Sequence, residues 1–274
     1  MTVQKDIDID ELVDGILKSP KYRSLDICED TVRDLMIQEL GNYLKKGQAI
    51  DSVRKKLHNV IAGYLGNPDY NESSKLLNAA FNSQNRDSIR NTCAQIMQAH
   101  VSTRERLPYL ESIYSNIYNL TGKPDSILDL ACGLHPLSFP WMELPTSVQY
   151  YAYDILKSRI NFINQYFLLE GLPLLAQLCD VLVSPPPIKA DVAFLFKEIH
   201  RFEQRHPGST LFLIDRLKVR NIIISLPTHS IHSNLDFTKS YHRMFEKIFA
   251  TRSWPVKEFG VNNEMFFIID KGNL

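Results

Sequence analysis

The sequence predicts an α/β protein in which helices alone precede a mostly parallel sheet. Apolar residues recur at helical spacing up to Leu120, whereas short apolar runs alternate with helical segments after residues 122–124. The last of these segments has the pattern of an antiparallel pair of strands. Alternating strands and helices form a mostly parallel sheet covered on both faces. We therefore expect a helical N-terminal domain over residues 1–104 and an α/β domain over residues 105–274.

The N-terminal domain is expected to consist of amphipathic helices. Asp30 is placed as the cap of the second helix and Gly47 as its stop, because these residue types favour the two ends of helices. The predicted helices span residues 7–17, 30–46, 51–65, 69–81, 85–99 and 103–120.

Buried apolar runs predict five strands in the second domain, at residues 126–132, 149–154, 176–182, 191–196 and 219–226. Helices are predicted at residues 157–169 and 237–251. Residues 256–269 are expected to form a hairpin that turns at 261–263 and brings the sheet to seven strands.

Composition excludes several classes of protein. With 44% apolar and 23% charged residues, the chain has the composition of a globular protein. It shows neither the apolar run of a signal peptide near its start nor a stretch of ~20 apolar residues. Its four cysteines contain no CxxC pair, so neither a zinc site nor a disulfide framework is expected. We expect a cytoplasmic monomer without a metal ion.

Charge is unevenly distributed although the net charge is zero. Residues 1–40 contain five Lys or Arg against ten Asp or Glu, whereas residues 41–106 contain ten against five. The second segment thus carries an excess of five positive charges (10 − 5). Such a surface is suited to RNA phosphates, although a solvated helix face would have the same composition.

Polar features follow three of the predicted strands. The first strand runs into Gly133, where backbone can approach a ligand without a Cβ in the way. Asp154 ends the second strand and is placed to accept hydrogen bonds from ribose hydroxyls. Asp180 and Val181 end the third and are suited to flank an adenine ring. These positions predict a nucleoside cofactor beyond the carboxyl ends of the strands.

NAD is the main competing cofactor. It requires a G-x-G-x-x-G turn for its pyrophosphate, whereas the turn here offers one glycine and then Pro136. A sulfonium cofactor without phosphates fits this loop better. The run at residues 100–106 supplies arginines that can hold a carboxylate in a fork, or it is a solvated helix start capped by Ser102 or Thr103.

Two motifs together resemble one enzyme family. The run His-x-Ser-Thr-Arg-Glu-Arg at residues 100–106, followed by Leu-Asp-Leu-Ala-Cys-Gly-Leu-x-Pro at 128–136, is similar to the aminoglycoside-resistance 16S rRNA (guanine(1405)-N(7))-methyltransferases. The resemblance extends from the N-terminal helices to Ser230. It implies a Rossmann-like class I methyltransferase domain that binds S-adenosylmethionine, and a helical domain that docks on the 30S ribosomal subunit. It further implies methylation of N7 of guanine 1405 in 16S rRNA, which confers aminoglycoside resistance.

The resemblance also implies roles for individual residues. Arg106 would hold the methionine carboxylate, and Asp154 would bind the ribose. The methionine portion would be lined by Ala131 and Gly133. The resemblance implies further cofactor contacts in three places. The 100–106 segment would contribute His100, Ser102, Thr103 and Arg104, and the adenine would be faced by Asp180 and Val181. The stretches Phe196-Lys197 and Glu203-Gln204 would contribute Phe196 and Gln204.

Two stretches depart from the family pattern. His135 stands where the family usually has Asn. Residues 227–234 read Pro-Thr-His-Ser-Ile-His-Ser-Asn, where the family generally has Pro-Thr-x-Ser-Leu followed by Gly and a basic residue. We expect both stretches on the acceptor side of the site.

The implied reaction requires no catalytic base, because guanine N7 has a free lone pair at neutral pH. A base taken out of a helix must however be held by stacking. Trp141, Phe139 and Tyr153 are candidates for this role, with core packing as the alternative. Residues 136–140 are a candidate lid. The histidines at 135, 229 and 232 lack metal-ligand spacing and are interpreted as surface or supporting groups.

Two other functions remain open from the sequence. One is a methyltransferase of the same fold that acts on another RNA site or on a small molecule. The other is a cofactor-binding protein that docks on RNA without transferring a methyl group. The basic segment at 41–106 favours RNA over a small molecule.

Overall fold

A computed structural model describes residues 8–43, 45–62, 67–229 and 236–272. The first residue of the predicted first helix, the end of the predicted third helix and most of the 227–234 stretch, including His232, lie outside these ranges. Within them, no helix combines the length and the apolar character needed to cross a membrane.

The N-terminal helices differ from the predicted ones at their ends. Asp30 lies within the first turn of the second helix, whose N-cap position is Cys28, so the prediction of Asp30 as the cap was wrong. Gly47 lies inside the third helix and does not stop the second. The segment predicted as one helix at 103–120 is broken, because Pro108 lacks the backbone N–H that a continuous helix requires. The helices are α1 Ile9–Leu17, α2 Glu29–Asn42, α3 Lys46–Ala62, α4 Tyr70–Asn82, α5 Arg86–Met97, α6 Val101–Arg106 and α7 Leu110–Thr121.

Seven strands form one sheet in the order β3-β2-β1-β4-β5-β7-β6. The first five are parallel, whereas β7 pairs antiparallel with both β5 and β6. The predicted α/β class with a seven-stranded, mostly parallel sheet and a helical N-terminal region is therefore confirmed. The strands are β1 Ser126–Leu130, β2 Gln149–Asp154, β3 Ala176–Leu178, β4 Lys189–Phe196, β5 Lys218–Pro227, β6 Val256–Val261 and β7 Glu264–Asp270.

The third strand is shorter than predicted because the chain turns at Asp180. The carbonyl of Asp180 accepts hydrogen bonds from the N–H groups of Val183 and Ser184, at 3.0 and 2.9 Å. The sequence predicted two of the four helices among the strands, which are α8 Lys157–Glu170, α9 Ile199–Arg205, α10 Ser209–Arg216 and α11 Thr238–Phe249.

Three clusters of buried apolar side chains hold the fold together. One lies between the sheet and helices α4, α5, α7 and α8, and a second lies between the opposite face and α9, α10 and α11. The third is formed within α1, α2 and α3 and includes Leu156. Helices α4 and α5 thus share their core with the sheet, and a boundary at residue 104 stays a prediction.

The first three helices attach beside the carboxyl end of β2. The Cys28 N–H donates to the carbonyl of Ile155 at 2.8 Å, and the Lys157 N–H donates to the carbonyl of Asp26 at 3.0 Å. Because parallel strands present their carboxyl ends at one edge, this attachment places α2 and α3 next to the edge where ligands bind in such sheets.

Candidate functional site

The loop after β1 is built so that its backbone faces the end of β2. Ala131 and Gly133 both adopt positive φ angles, 51° and 57°, and for Ala131 this is a strained conformation. The Gly133 N–H donates to Asp154 Oδ2 at 3.1 Å. Two of the predicted features, the glycine turn and the carboxylate, are therefore joined directly.

His100 lies beneath this loop. A Cβ built on Gly133 would stand 3.2 Å from His100 Cε1. The ring is buried, and its Nδ1 is 3.1 Å from Ser102 Oγ. Burial, together with the charges of Arg159, Arg106 and Arg201, lowers the pKa of His100 to about 3, so the ring is neutral at physiological pH.

Gly133→Ala is expected to weaken cofactor binding and to destabilise the fold. The positive φ costs roughly 1–2 kcal/mol for a residue with a Cβ, and the approach to His100 adds to that cost. Gly171→Ala is the matched control, because its φ is 81° but nothing lies within 4 Å of the added Cβ. Urea unfolding should show a loss for both variants, whereas calorimetry with S-adenosylhomocysteine should show weaker binding for Gly133→Ala alone. Equal affinities in the two variants would contradict this account of the loop.

Stability is expected to fall as the pH drops below about 6.5, because two histidines are buried as neutral rings. The pKa is lowered to about 3 for His100 and, mainly by burial, to about 4 for His200. Below 6.5 the unfolded chain binds protons that the folded chain does not, so the free energy of unfolding decreases with decreasing pH. The slope near pH 5 should approach about 2.7 kcal/mol per pH unit, the value for two protons. A flat unfolding free energy between pH 6.5 and 5, measured with urea, would contradict this prediction.

Asp154 accepts three hydrogen bonds at the end of β2. Besides Gly133, the donors are the Leu156 N–H at 3.0 Å and Arg159 Nη1 at 2.8 Å. Arg159 is completely buried. Burial alone would lower the pKa of Arg159, but the carboxylate of Asp154 raises it overall, so the ion pair is kept.

Asp180 is held by residues from two other parts of the chain. Thr31 Oγ1 donates to Asp180 Oδ2 at 2.7 Å, and Arg205 Nη1 donates to the same oxygen at 2.6 Å. Arg205 also pairs with Asp34 on α2 at 2.5 Å. Helix α2 is thereby connected to the end of β3.

A cavity of about 50 Å³ lies at the carboxyl ends of β1, β2 and β3. Its lining includes the predicted residues Ala131, Asp154, Asp180 and Val181, together with Val60 from α3. Three strand ends, helix α3 of the N-terminal region and helix α9 thus border it. Gln204 lies outside this cavity, in a separate depression lined also by Lys56 and Asn59 of α3.

A second cavity, of about 440 Å³, lies at the carboxyl ends of β4 and β5. Arg106 lines it and is buried, with only 3% of its surface exposed. Its Nε and Nη2 donate to both carboxylate oxygens of Glu264, at 2.8–3.0 Å, and Nη2 also donates to Ser225 Oγ at 3.3 Å. The guanidinium lies 4.7 Å from the centre of the Phe196 ring.

Lys197 extends this cluster. Its Nζ is 2.5 Å from a carboxylate oxygen of Glu105 and 3.2 Å from one of Glu264. Burial would raise the pKa of Glu264, but the charges of Arg106 and Lys197 lower it, so Glu264 is ionised. Glu264 was not predicted from the sequence. The only local signal was a carboxylate immediately before a run of five apolar residues, 265–269.

The other residues of the 100–106 segment have different surroundings. Arg104 lines the second cavity. Thr103 is buried, and its hydroxyl donates to the carbonyls of Met97 and His100 at 2.7 and 3.0 Å. Its hydroxyl thus stabilises the start of α6. The roles that the resemblance implies for these residues toward a cofactor stay predictions.

His135 does not lie on the acceptor side, and that prediction was wrong. Only 3% of its surface is exposed. Its Nδ1 is 2.9 Å from Asp129 Oδ2 and its Nε2 is 2.8 Å from the Tyr114 hydroxyl. The ring stays in the core because both nitrogens have polar partners there. His229, in contrast, is exposed and lines the second cavity.

The three proposed stacking residues also belong to the core. Trp141 and Phe139 pack in the cluster beneath one face of the sheet, and Tyr153 packs on the other. Residues 136–140 lie within a buried 3₁₀ helix, His135–Trp141, and do not form a lid. Apolar packing therefore accounts for these positions.

Much of the basic segment is neutralised by ion pairs. Lys56 pairs with the buried Glu39 at 2.7 Å, and Arg86 pairs with Glu170 at 2.7 Å. Arg90 pairs with Glu111, and Arg106 pairs with Glu264. Three exposed lysines of this segment have no ion pair among the described residues. They are Lys45, which directly precedes α3, and Lys46 and Lys55 within it.

Comparison with known proteins identifies the family. The model of the ribosomal RNA methyltransferase (FmrO) family matches residues 18–269. The chain belongs to this family. A 16S rRNA (guanine(1405)-N(7))-methyltransferase of Micromonospora echinospora is 29% identical over 269 residues, which cover 96% of this chain and 97% of the relative. The enzyme of that name from Proteus mirabilis is 28% identical over 277 residues, with 96% and 97% covered.

Solved structures agree with this assignment. The 16S rRNA methylase RmtB is 26% identical and superposes with a TM-score of 0.77 over 97% of this chain and 99% of its own. RmtF, solved in complex with S-adenosyl-L-homocysteine, has the same fold, with a TM-score of 0.79, 24% identity and coverages of 97% and 100%. The similarity of fold therefore includes the N-terminal helices as well as the sheet.

Proposed function

We propose that this protein transfers a methyl group from S-adenosylmethionine to N7 of guanine 1405 in 16S rRNA. The observation that carries this proposal is the family match over residues 18–269, which includes the cofactor-side edge of the sheet and the N-terminal helices from α2 onward. Relatives named for this reaction match over nearly their whole length. The biological consequence would be resistance to 4,6-disubstituted aminoglycosides.

The strand ends have the chemistry that the proposed cofactor requires. A Cβ on Gly133 would be strained by the positive φ and would press against His100, so glycine lets the backbone itself approach the methionine portion. Asp154 would accept hydrogen bonds from the ribose hydroxyls, and Asp180 with Val181 would border the adenine. Arg106 would hold the methionine carboxylate.

When bound, S-adenosylmethionine supplies a methyl group on a positively charged sulfur. The protein then has to position the acceptor, because guanine N7 attacks with a lone pair that is already free. Alignment of this kind lowers a barrier by roughly 7–11 kcal/mol at best. The second cavity, at the ends of β4 and β5, lies beside the cofactor pocket and is large enough for a base.

The N-terminal helices are proposed as the docking surface for the 30S subunit, within the predicted domain 1–104. Lys45, Lys46 and Lys55 are exposed on or next to α3, the helix that also contributes Val60 to the cofactor pocket. Cations on one helix can contact successive RNA phosphates. The site of action would be the cytoplasm, where ribosomal subunits are found.

The proposed reaction can be tested on purified 30S subunits incubated with the protein and S-adenosylmethionine. Borohydride reduction and aniline cleavage break RNA at N7-methylguanine, and primer extension then locates the break. A stop at guanine 1405 that requires both protein and donor is expected. Modification at another position would replace the proposed target, and an absence of methylation with intact cofactor binding would favour a non-catalytic RNA-docking protein.

A further inference from the structure

Glu264 contacts Arg106 from a part of the chain far from the motif that contains this arginine. It is the first residue of β7 and pairs in register with Pro227 of β5 and Val261 of β6. Its backbone is thus fixed between two strands. The side chain is buried, with 5% of the residue exposed.

Arg106 is held on one side only. Glu264 and Ser225 accept the hydrogen bonds of Nε and Nη2, and Phe196 lies under the guanidinium plane. Among the described residues, Nη1 makes no hydrogen bond. Because a guanidinium is planar and rigid, fixing two of its nitrogens also fixes the direction of the third.

The charged residues that line the second cavity have a net positive charge. Of the Lys, Arg, Asp and Glu residues that line it, three are cations and two are carboxylates. The cations are Arg104, Arg106 and Lys197, and the carboxylates are Glu105 and Glu264. The pairs Arg106–Glu264 and Lys197–Glu105 leave Arg104 without a carboxylate partner among the described residues, so the cavity as a whole carries one positive charge and favours an anionic ligand group.

We propose that Glu264 is a positioning residue that holds Arg106 so that its Nη1 edge binds the α-carboxylate of the cofactor. This inference rests on the proposed use of S-adenosylmethionine. Glu264 would act through Arg106 and not through a contact of its own with the cofactor. Its contribution is limited to the amino-acid end of the ligand, since the adenosine end is bordered by Asp154, Asp180 and Val181 at the other cavity.

Comparing the affinities for two ligands distinguishes this positioning role from a general effect of Glu264 on the fold. S-adenosylhomocysteine contains the amino-acid end, whereas 5′-methylthioadenosine has the same adenosine and sulfur without it. Calorimetry with Glu264→Gln should show affinity for S-adenosylhomocysteine reduced about tenfold to a hundredfold, the effect of disturbing one charged hydrogen-bonding contact. Affinity for methylthioadenosine should stay within about twofold of the wild-type value.

Glu264→Gln leaves the buried Arg106 without a charged partner and could therefore fail to fold. A second variant keeps the proposal testable in that case. Glu264→Asp keeps the buried negative charge but withdraws it by one methylene group. It should also lose affinity for S-adenosylhomocysteine alone, by about fivefold to tenfold. Glu170→Gln is the matched control, because it removes a buried carboxylate that pairs with Arg86 and lines neither cavity.

The outcomes distinguish this proposal from the proposed function. Selective loss of S-adenosylhomocysteine affinity in the Glu264 variants, with Glu170→Gln unaffected, supports the positioning role of Glu264. Unchanged affinity, or equal loss for both ligands, overturns it while leaving the methylation reaction of the wild-type protein standing. A wild-type protein that binds S-adenosylhomocysteine but methylates no guanine would instead overturn the proposed function alone.

Discussion

Asp154→Asn is expected to bind S-adenosylhomocysteine about a hundredfold more weakly than the wild-type protein, and to be less stable. The affinity falls because two ribose hydroxyls exchange a charged acceptor for a neutral one, at a loss of about 1–1.5 kcal/mol for each hydrogen bond. Stability falls because Arg159, which is completely buried, loses the carboxylate that pairs with it at 2.8 Å. Removing one partner of a buried pair costs about 3–5 kcal/mol. Calorimetry and urea unfolding measure the two effects separately.

A double variant separates binding from folding at this position. Asp154→Asn with Arg159→Met removes both charges, so much of the lost stability should return. The affinity for S-adenosylhomocysteine should not return, since no carboxylate faces the ribose. A double variant with wild-type affinity would show that Asp154 acts only through Arg159 and would refute its assignment to the ribose.

Reversing two charges on α3, as Lys46→Glu with Lys55→Glu, is expected to weaken binding to 30S subunits by tenfold or more. Both lysines are exposed and lack ion pairs among the described residues, so they are available to phosphates. The dependence of log K on log salt should become shallower by about two, one for each lost phosphate contact. Competition binding at several salt concentrations measures both quantities.

The matched control for this surface is the pair Lys189→Glu with Lys218→Glu. These lysines are exposed neighbours at the amino ends of β4 and β5, on the edge of the sheet opposite the cofactor pocket. They should leave 30S binding nearly unchanged, and neither double variant should alter cofactor affinity. If the control weakened 30S binding as much as the α3 variant, the net charge of the protein, and not the α3 surface, would determine the affinity for 30S subunits. Lys56 is avoided because it pairs with the buried Glu39.

The sheet was predictable because each of its signals is local. The apolar runs that became β1 to β5 and the turn between β6 and β7 can each be identified within a few residues. The same is true of Gly133 and Asp154, which end adjacent strands and therefore had to meet. The length of the third strand was overestimated because the chain turns at Asp180. The hydrogen bonds that form this turn are made by the backbone carbonyl, which the pattern of apolar residues does not reveal.

Contacts between distant positions were not predictable from one sequence. Arg106 and Glu264 are 158 positions apart, and Thr31 and Asp180 are 149 positions apart. Neither partner has a local pattern that identifies the other. His135 was misplaced for a different reason: its partners Asp129 and Tyr114 are only 6 and 21 positions away, but no sequence pattern marks them as the polar partners of a buried ring.

The most direct test of this account is a calorimetric titration of the purified wild-type protein with S-adenosylhomocysteine. The arrangement of Gly133, Asp154 and Asp180 at adjoining strand ends predicts saturable binding of one ligand per chain. Absence of both a binding signal and a ligand-dependent rise in melting temperature would contradict it.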